Sequence, residues 1–214
     1  MSIAIFDLDG TITRHDTLFP FVLRRLRRRP WQLLRLLVVL PAAVRYLFDR
    51  DRGAIKQSLL RATVRGARRA DLDADAREFV RDKIASGCFH DALSTIRRHR
   101  DAGHVLVLMS ASVDFYVPEF GRQLGFDQVI CTEVRWDGDK LDGTLASANR
   151  QGMEKARCLR LLLDGREGVE SFAYGNSGAD LPHLVLVKFG RLVNGSNAAR
   201  REATRLGVTC VDWT

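Results

Sequence analysis

Apolar positions in this chain fall into short unbroken runs separated by stretches of helical period. Ile3-Ala4-Ile5-Phe6 and the segment from His104 to Met109 are runs of the kind that form strands buried on both faces of a parallel sheet. Residues 91–102, 114–124 and 152–164 are helical in pattern. They stop at Gly103, Gly125 and Gly165, where a glycine can end a helix. Ser171 to Tyr174 predicts a third strand, and either Leu184–Phe189 or Leu192-Val193 a fourth. Val129–Arg135 and Lys140–Leu145 flank Asp137-Gly138-Asp139, a hairpin signal. Strands alternating with helices predict an α/β fold, a doubly wound parallel sheet of Rossmann-like type.

One internal segment breaks this alternation. Residues 14–83 are rich in Leu, Arg and Ala and hold almost no strand-like run, which predicts an inserted helical unit. The 214 residues suffice for one α/β domain and such an insertion, but not for two catalytic domains. The insertion also carries the charge. The chain has a formal net charge of +8, whereas residues 14–83 alone hold 18 Lys+Arg against 8 Asp+Glu. A basic surface suits nucleic acid, anionic lipid or a phosphorylated substrate. No nucleic-acid motif accompanies it, so nucleic acid is not expected. The run from Leu36 to Val44 is nine residues long, far short of the roughly 20 that a spanning helix needs. Arg24, Arg25, Arg27, Arg28 and Arg29 beside Trp31, Leu33 and Leu34 leave two readings open: a helix lying on an anionic membrane, or a small bundle with a solvated basic rim. Four cysteines without CxxC spacing exclude a metal knuckle, and the N-terminus lacks a signal-peptide pattern. The expectation is a cytoplasmic chain, with peripheral membrane contact as the open alternative.

The polar residues that follow the predicted strands collect the chemistry, since parallel sheets bind ligands beyond the carboxyl ends of their strands. After the first strand come Asp7-Leu8-Asp9-Gly10-Thr11, two carboxylates on one side of an extended chain. After the second comes Ser110-Ala111-Ser112, and after the third Gly175-Asn176-Ser177-Gly178-Ala179-Asp180. Lys155 lies in the helix beginning near Gly152. Each alone has an ordinary reading: a solvated turn, a helix N-cap, a surface lysine. Together they supply oxygen ligands suited to Mg²⁺ and an ammonium that relieves charge repulsion when a carboxylate attacks a phosphate. A second carboxylate, if protonated, can serve the leaving oxygen.

The segments IFDLDGTIT (5–13), VLMSAS (107–112), Lys155 in GMEKARCLRLL, and YGNSGADLPHL (174–184) resemble, in order, the four motifs of the haloacid dehalogenase-like hydrolase superfamily. The placing of the insertion resembles its phosphoserine phosphatase-like subgroup. The resemblance implies a core of residues 1–13 and 88–214, with 14–87 as a basic helical cap. It implies a Mg²⁺-dependent phosphatase with Asp7 as nucleophile and Asp9 as general acid/base. Ser110, Ala111 and Lys155 would hold the phosphoryl oxygens, and Asp7, Asp9 (through its carbonyl), Asn176 and Asp180 the Mg²⁺. The subgroup pattern has Asp where this chain has Asn176, which removes one charge from the metal site. The stretch Arg14-His15-Asp16-Thr17-Leu18-Phe19 holds no Glu, where a phosphoserine phosphatase would be expected to carry a short acidic or polar selection motif. The cap is similar to that of phosphatidylglycerophosphatase C-like members. The expected substrate is therefore a phosphorylated small molecule or a phospholipid or lysophospholipid head group. A soluble metabolite phosphatase and a catalytically weakened binding module are the alternatives.

Overall fold

The computed structural model describes residues 2–27, 52–165 and 168–214, with isolated positions 34, 37, 39 and 41. Strand β1 (Ile3–Phe6), buried at all four positions, is a central strand. It pairs in parallel with β2 (Val105–Val113) on one side and β6 (Ser171–Gly175) on the other. With β3 (Gln128–Thr132), β7 (Phe189–Val193) and β8 (Thr209–Val211), these form a six-stranded sheet of order β3-β2-β1-β6-β7-β8, parallel at every pairing. The order reverses around β1, as the doubly wound reading requires.

Strand periodicity divides the core between two layers. Ile3 and Ile5 pack with Val107, Met109 and Ala173 beneath helices α6 (Met153–Leu163), α7 (Leu181–Leu184) and α8 (Asn197–Arg205). Ala4 and Phe6 face the other way, into a cluster with α4 (His90–Asp101) and α5 (Val117–Leu124). That cluster continues into the helical segment between β1 and α4: α1 (Leu18–Arg27), α2 (Arg52–Thr63) and α3 (Arg69–Ser86). Phe21 of α1 stacks on Tyr116 at 5.0 Å and meets Phe79 of α3 edge-on at 5.2 Å.

Several boundaries differ from the pattern in the sequence. Strand β2 runs on through Ser110-Ala111-Ser112 to Val113, so this segment does not open a helix; α5 starts at Val117 and ends at Gly125 in left-handed conformation. The run 129–135 is two strands. Its first part is β3 in the main sheet, while β4 (Val134–Asp137) pairs antiparallel with β5 (Lys140–Leu145). The fourth strand, Phe189–Val193, overlaps both predicted alternatives, whereas Leu181–Leu184 is helical. Hairpin β4–β5 joins the inserted segment: Gly66 N–H donates to the Leu141 carbonyl (2.8 Å) and Arg69 N–H to that of Asp139 (2.7 Å).

Two of the five clustered arginines turn inward. Arg24 pairs with Glu78 (3.2 Å) and Asp82 (2.6 Å), and Arg25 with Asp75, tying α1 to α3. Arg28, Arg29, Trp31, Leu33 and most of the 36–44 run lie outside the described residues. No helix among the described residues is long and apolar enough to cross a membrane.

Candidate active site

The carboxyl ends of β1, β2 and β6 open into a crevice of about 570 Å³ lined by Asp7, Asp9, Ala111, Lys155, Asn176 and Asp180, among others. Asp7 follows β1 directly, and its N–H donates to the Tyr174 carbonyl (2.9 Å), so the sheet ladder fixes its backbone. The chain then turns sharply: the Leu8 carbonyl accepts from the N–H groups of Ile12 and Thr13, both at 2.9 Å. Gly10 makes this turn with φ of 78°. It also admits Asn176, whose Nδ2 would lie only 2.0 Å from a Cβ at this position.

Lys155, buried on α6, joins two carboxylates. Its Nζ donates to Asp7 Oδ1 (2.6 Å) and Asp180 Oδ1 (2.9 Å). Thr11 Oγ1 donates to the other oxygen of Asp7 (2.9 Å). Asp180 Oδ2 accepts from Ser177 Oγ (2.7 Å) and from the Ser177 and Asn176 N–H groups (3.1 and 3.3 Å). Asp9 is held separately. Its Oδ1 accepts from Thr17 N–H (2.8 Å) and Thr17 Oγ1 (2.6 Å), and its Oδ2 from Ser112 Oγ (2.6 Å). Tyr116 OH contacts Thr17 Oγ1 at 2.9 Å and completes the clamp from α5's side.

Burial raises the Asp7 carboxyl to about 7; Lys155 opposes the rise, while Asp180 and Asp9 add to it. The Asp180 carboxyl goes the other way. Burial would raise it, but Lys155, His183 and its hydrogen bonds together hold it well below the usual carboxylate range. Of the two carboxyls that share Lys155, Asp7 is thus the one pushed up and Asp180 the one held down. Burial and the Asp16 charge raise Asp9 as well, against the hydrogen bonds from Ser112 and Thr17. Burial alone would lower Lys155, but Asp180 and Asp7 reverse this and keep it charged.

The donor set fits Mg²⁺. Asp7, Asp180 and the Asn176 amide present hard oxygens, and three carboxylates against one buried ammonium leave negative charge for a dication. No group of three His, Cys, Asp or Glu side chains is close enough among the described residues to form a complete protein cage. A site of one or two carboxylates that leaves room for water and phosphate is what Mg²⁺ prefers.

Ser110 is the one expected site residue that is not among those lining the crevice. It is fully buried, and its Oγ accepts from Ser112 N–H (3.0 Å). Ala111 and Ser112 line the opening in its place. Thr11, Thr17 and Ser112 lay within or beside the motifs but carried no separate signal. Lys56 and Asn149 had none at all. Lys56 of α2 reaches across the crevice, its Nζ donating to the Ala111 carbonyl (2.5 Å) and Asn149 Oδ1 (2.5 Å).

The model for haloacid dehalogenase-like hydrolases matches residues 4–184, a span that contains every motif just described. The chain belongs to that family. Among its relatives is protein CicA of Caulobacter vibrioides, 34% identical over 182 residues, or 85% of this chain and 81% of that one. A Bordetella pertussis protein of unknown function has the same fold, with a TM-score of 0.79 at 24% identity over 99% of this chain and 98% of that one. A phosphoserine phosphatase solved as a phospho-aspartyl intermediate analogue shares the fold at a TM-score of 0.66 and 14% identity, covering 98% and 92%. The parallel sheet with polar residues at its carboxyl edge is thus this hydrolase family's core.

Proposed function

We propose that this hydrolase is a Mg²⁺-dependent phosphomonoesterase working through an aspartyl phosphate on Asp7. The observation that carries the reading is the division of labour between two neighbouring carboxylates. Asp7 is braced by an ammonium and a hydroxyl, and Asp9 by a separate clamp of Thr17 and Ser112. Asp7 attacks phosphorus and the bond to the ester oxygen breaks, while Asp9 gives its proton to that oxygen. Water then attacks the phosphorus, the bond to Asp7 breaks, and Asp9 takes the water proton as inorganic phosphate leaves. Asp9's raised protonation suits the first step. Lys155 holds the Asp7 carboxylate and balances the oxygens of the transferred group. Asp7, Asp180, Asn176 and the Asp9 carbonyl are the groups that would hold Mg²⁺; when bound, it would draw Asp7 into its charged form and offset phosphoryl charge. The structural relative's phospho-aspartyl analogue agrees with this route.

The crevice wall favours a substrate with an apolar portion. Leu18, Phe19, Ile55 and Leu59 line it, and Phe19 is 50% exposed. Arg14, His15 and Lys56 add basic character to the same wall, with Asp16 as its single acid. We therefore favour a lipid or lysolipid phosphomonoester over phosphoserine. The test is phosphate release with Mg²⁺ from phosphoserine, glycerol phosphate and detergent-dispersed lysophosphatidate and phosphatidylglycerophosphate. Release from the lipid esters at higher kcat/KM supports the reading. Preference for phosphoserine overturns the substrate class, and no Mg²⁺-dependent release from any ester overturns the activity.

A further inference from the structure

A second cavity of about 440 Å³ lies on the sheet face that carries α4, and its lining shares no residue with that of the crevice. Arg98, His99, His104, Tyr174, Arg191 and Trp213 are among the residues that line it. Four of these are basic, and no carboxylate lines the cavity among the described residues. Three acids on adjoining elements have other partners, although the Asp91 carboxylate also feels the Arg98 charge. Asp91 Oδ2 accepts from Thr214 N–H (2.8 Å) and Oγ1 (3.1 Å), and Asp212 pairs with Arg200. Glu170, ahead of β6, pairs with Lys188 (3.6 Å). Arg98 donates only to a neutral hydroxyl, Thr95 Oγ1 (2.8 Å), and neither Arg98 nor Arg191 has an ion pair among the described residues.

The floor of the cavity is ordered by hydrogen bonds. His99, 8% exposed, contacts Tyr174 OH through Nε2 (2.8 Å) and His104 Nδ1 through its own Nδ1 (2.8 Å). Both ring nitrogens of His99 are thereby used, which leaves Nε2 of His104 to meet an occupant. His104 is itself fixed by stacking on Phe172 at 5.4 Å. Burial is the first cause that pushes the His99 imidazole down to about 4, and the charges of His104, Arg98 and Arg191 follow; no acid offsets them. Basic groups gathered in one cavity without a counter-charge repel each other unless an anion sits among them.

We propose that this cavity is an anion site, distinct from the catalytic crevice, that takes a small phosphate-type oxyanion between Arg98 and Arg191 over His104. The donors arrive from three places: Arg98 from α4, Arg191 from β7 and His104 from the residue just before β2. A tetrahedral oxyanion offers oxygens in each of these directions, whereas a planar carboxylate offers two in one plane. Arginine forks match phosphate oxygens in particular. The occupant would rest against Tyr174, whose carbonyl anchors the N–H of Asp7.

Trp213, tilted on Tyr174 at 5.4 Å, provides the reporter. The experiment titrates the full chain with inorganic phosphate and with pyrophosphate at constant ionic strength, reading tryptophan fluorescence. A Trp213→Phe control identifies the signal, and an Asp7→Asn background removes turnover. The expected result is a saturable change with both probes, kept in Asp7→Asn, and weakened about tenfold or more in Arg98→Gln and in Arg191→Gln. Arg98 is exposed, so Arg98→Gln decides the matter if Arg191→Gln fails to fold. An equal response to chloride, unchanged affinity in Arg98→Gln, or no saturable change overturns the site. A signal that survives Trp213→Phe does so too, because it then arises elsewhere.

Discussion

Gly10 meets two demands with one missing methyl group. Its φ of 78° disfavours any L side chain, and its bare Cα lets Asn176 come against the turn that carries Asp9. Gly10→Ala therefore adds about 1–2 kcal/mol of backbone strain and also displaces Asn176. The expected outcome is a Mg²⁺ requirement shifted to higher concentration, with a loss of activity larger than the drop in melting temperature implies. Metal-dependent phosphate release and a thermal melt on the same preparation check it. The two carboxylates separate in the same assay. On the proposed mechanism Asp7→Asn removes the nucleophile and is expected to abolish turnover, whereas Asp9→Asn removes only the proton donor and is expected to slow it by about 10²–10⁴-fold. Near wild-type release by Asp7→Asn protein would rule out the covalent route. These residues were legible in the sequence because each belongs to a short segment that leaves a strand end. Asp7 and Asp9 are two residues apart, and Asn176 and Asp180 share one loop.

At the scale of elements, α4 docks on the sheet through a buried imidazole, and this gives stability a dependence on pH. His99 has a folded-state value of about 4, against roughly 6.5 for an unperturbed imidazole. The unfolded chain thus binds more protons than the folded one between those values, and stability rises with pH across the window. The contribution is complete above about pH 6.5 and is lost as pH falls towards 4, on the order of 3 kcal/mol in all. Denaturant melts of wild type and His99→Gln at pH 7 and pH 5 measure it. The variant is less stable at pH 7 but lacks this part of the fall, and parallel losses in both chains would refute the assignment. Element boundaries were less legible than element identities. Nothing local separates β3 from β4 within 129–135, because the division comes from pairing partners: β2 for one, β5 for the other. The arginines of α1 invited a lipid-facing reading because the acids that hold Arg24 and Arg25 lie 50 to 58 residues away on α3.

Across the whole molecule, the crevice is a joint between two regions. The core supplies Asp7, Lys155 and Asp180, and the segment between β1 and α4 supplies Thr17, Phe19 and Lys56. Such convergence leaves no local trace, which is why Lys56 and Asn149 were absent from any sequence pattern. Mg²⁺ should stabilise this joint as a ligand that binds only the folded chain, adding about 2.7 kcal/mol at a concentration some 100 times its Kd. The gain should vanish with EDTA and in Asp180→Asn, as thermal melts can show. Lys56 tests the joint most directly. Its bonds to these two groups pin the Ala111 carbonyl, beside the expected phosphoryl seat, to Asn149 in the loop that leads into α6 and Lys155. Lys56→Met keeps the length and apolar stem of the side chain but removes both bonds, and Leu59 and Ile55 continue to pack along the same helix. Two net hydrogen bonds to a charged donor are worth enough to misplace the phosphate loop by a fraction of an ångström, and catalytic geometry is sensitive to displacements of that size. The expected result is a fall in kcat/KM of about tenfold or more, with a melting temperature close to wild type and Lys56→Arg recovering part of the loss. If Lys56→Met melts far below wild type, the lysine is a structural tie of α2. If kcat/KM is unchanged while the fold is intact, the contact with Ala111 does not position the phosphate.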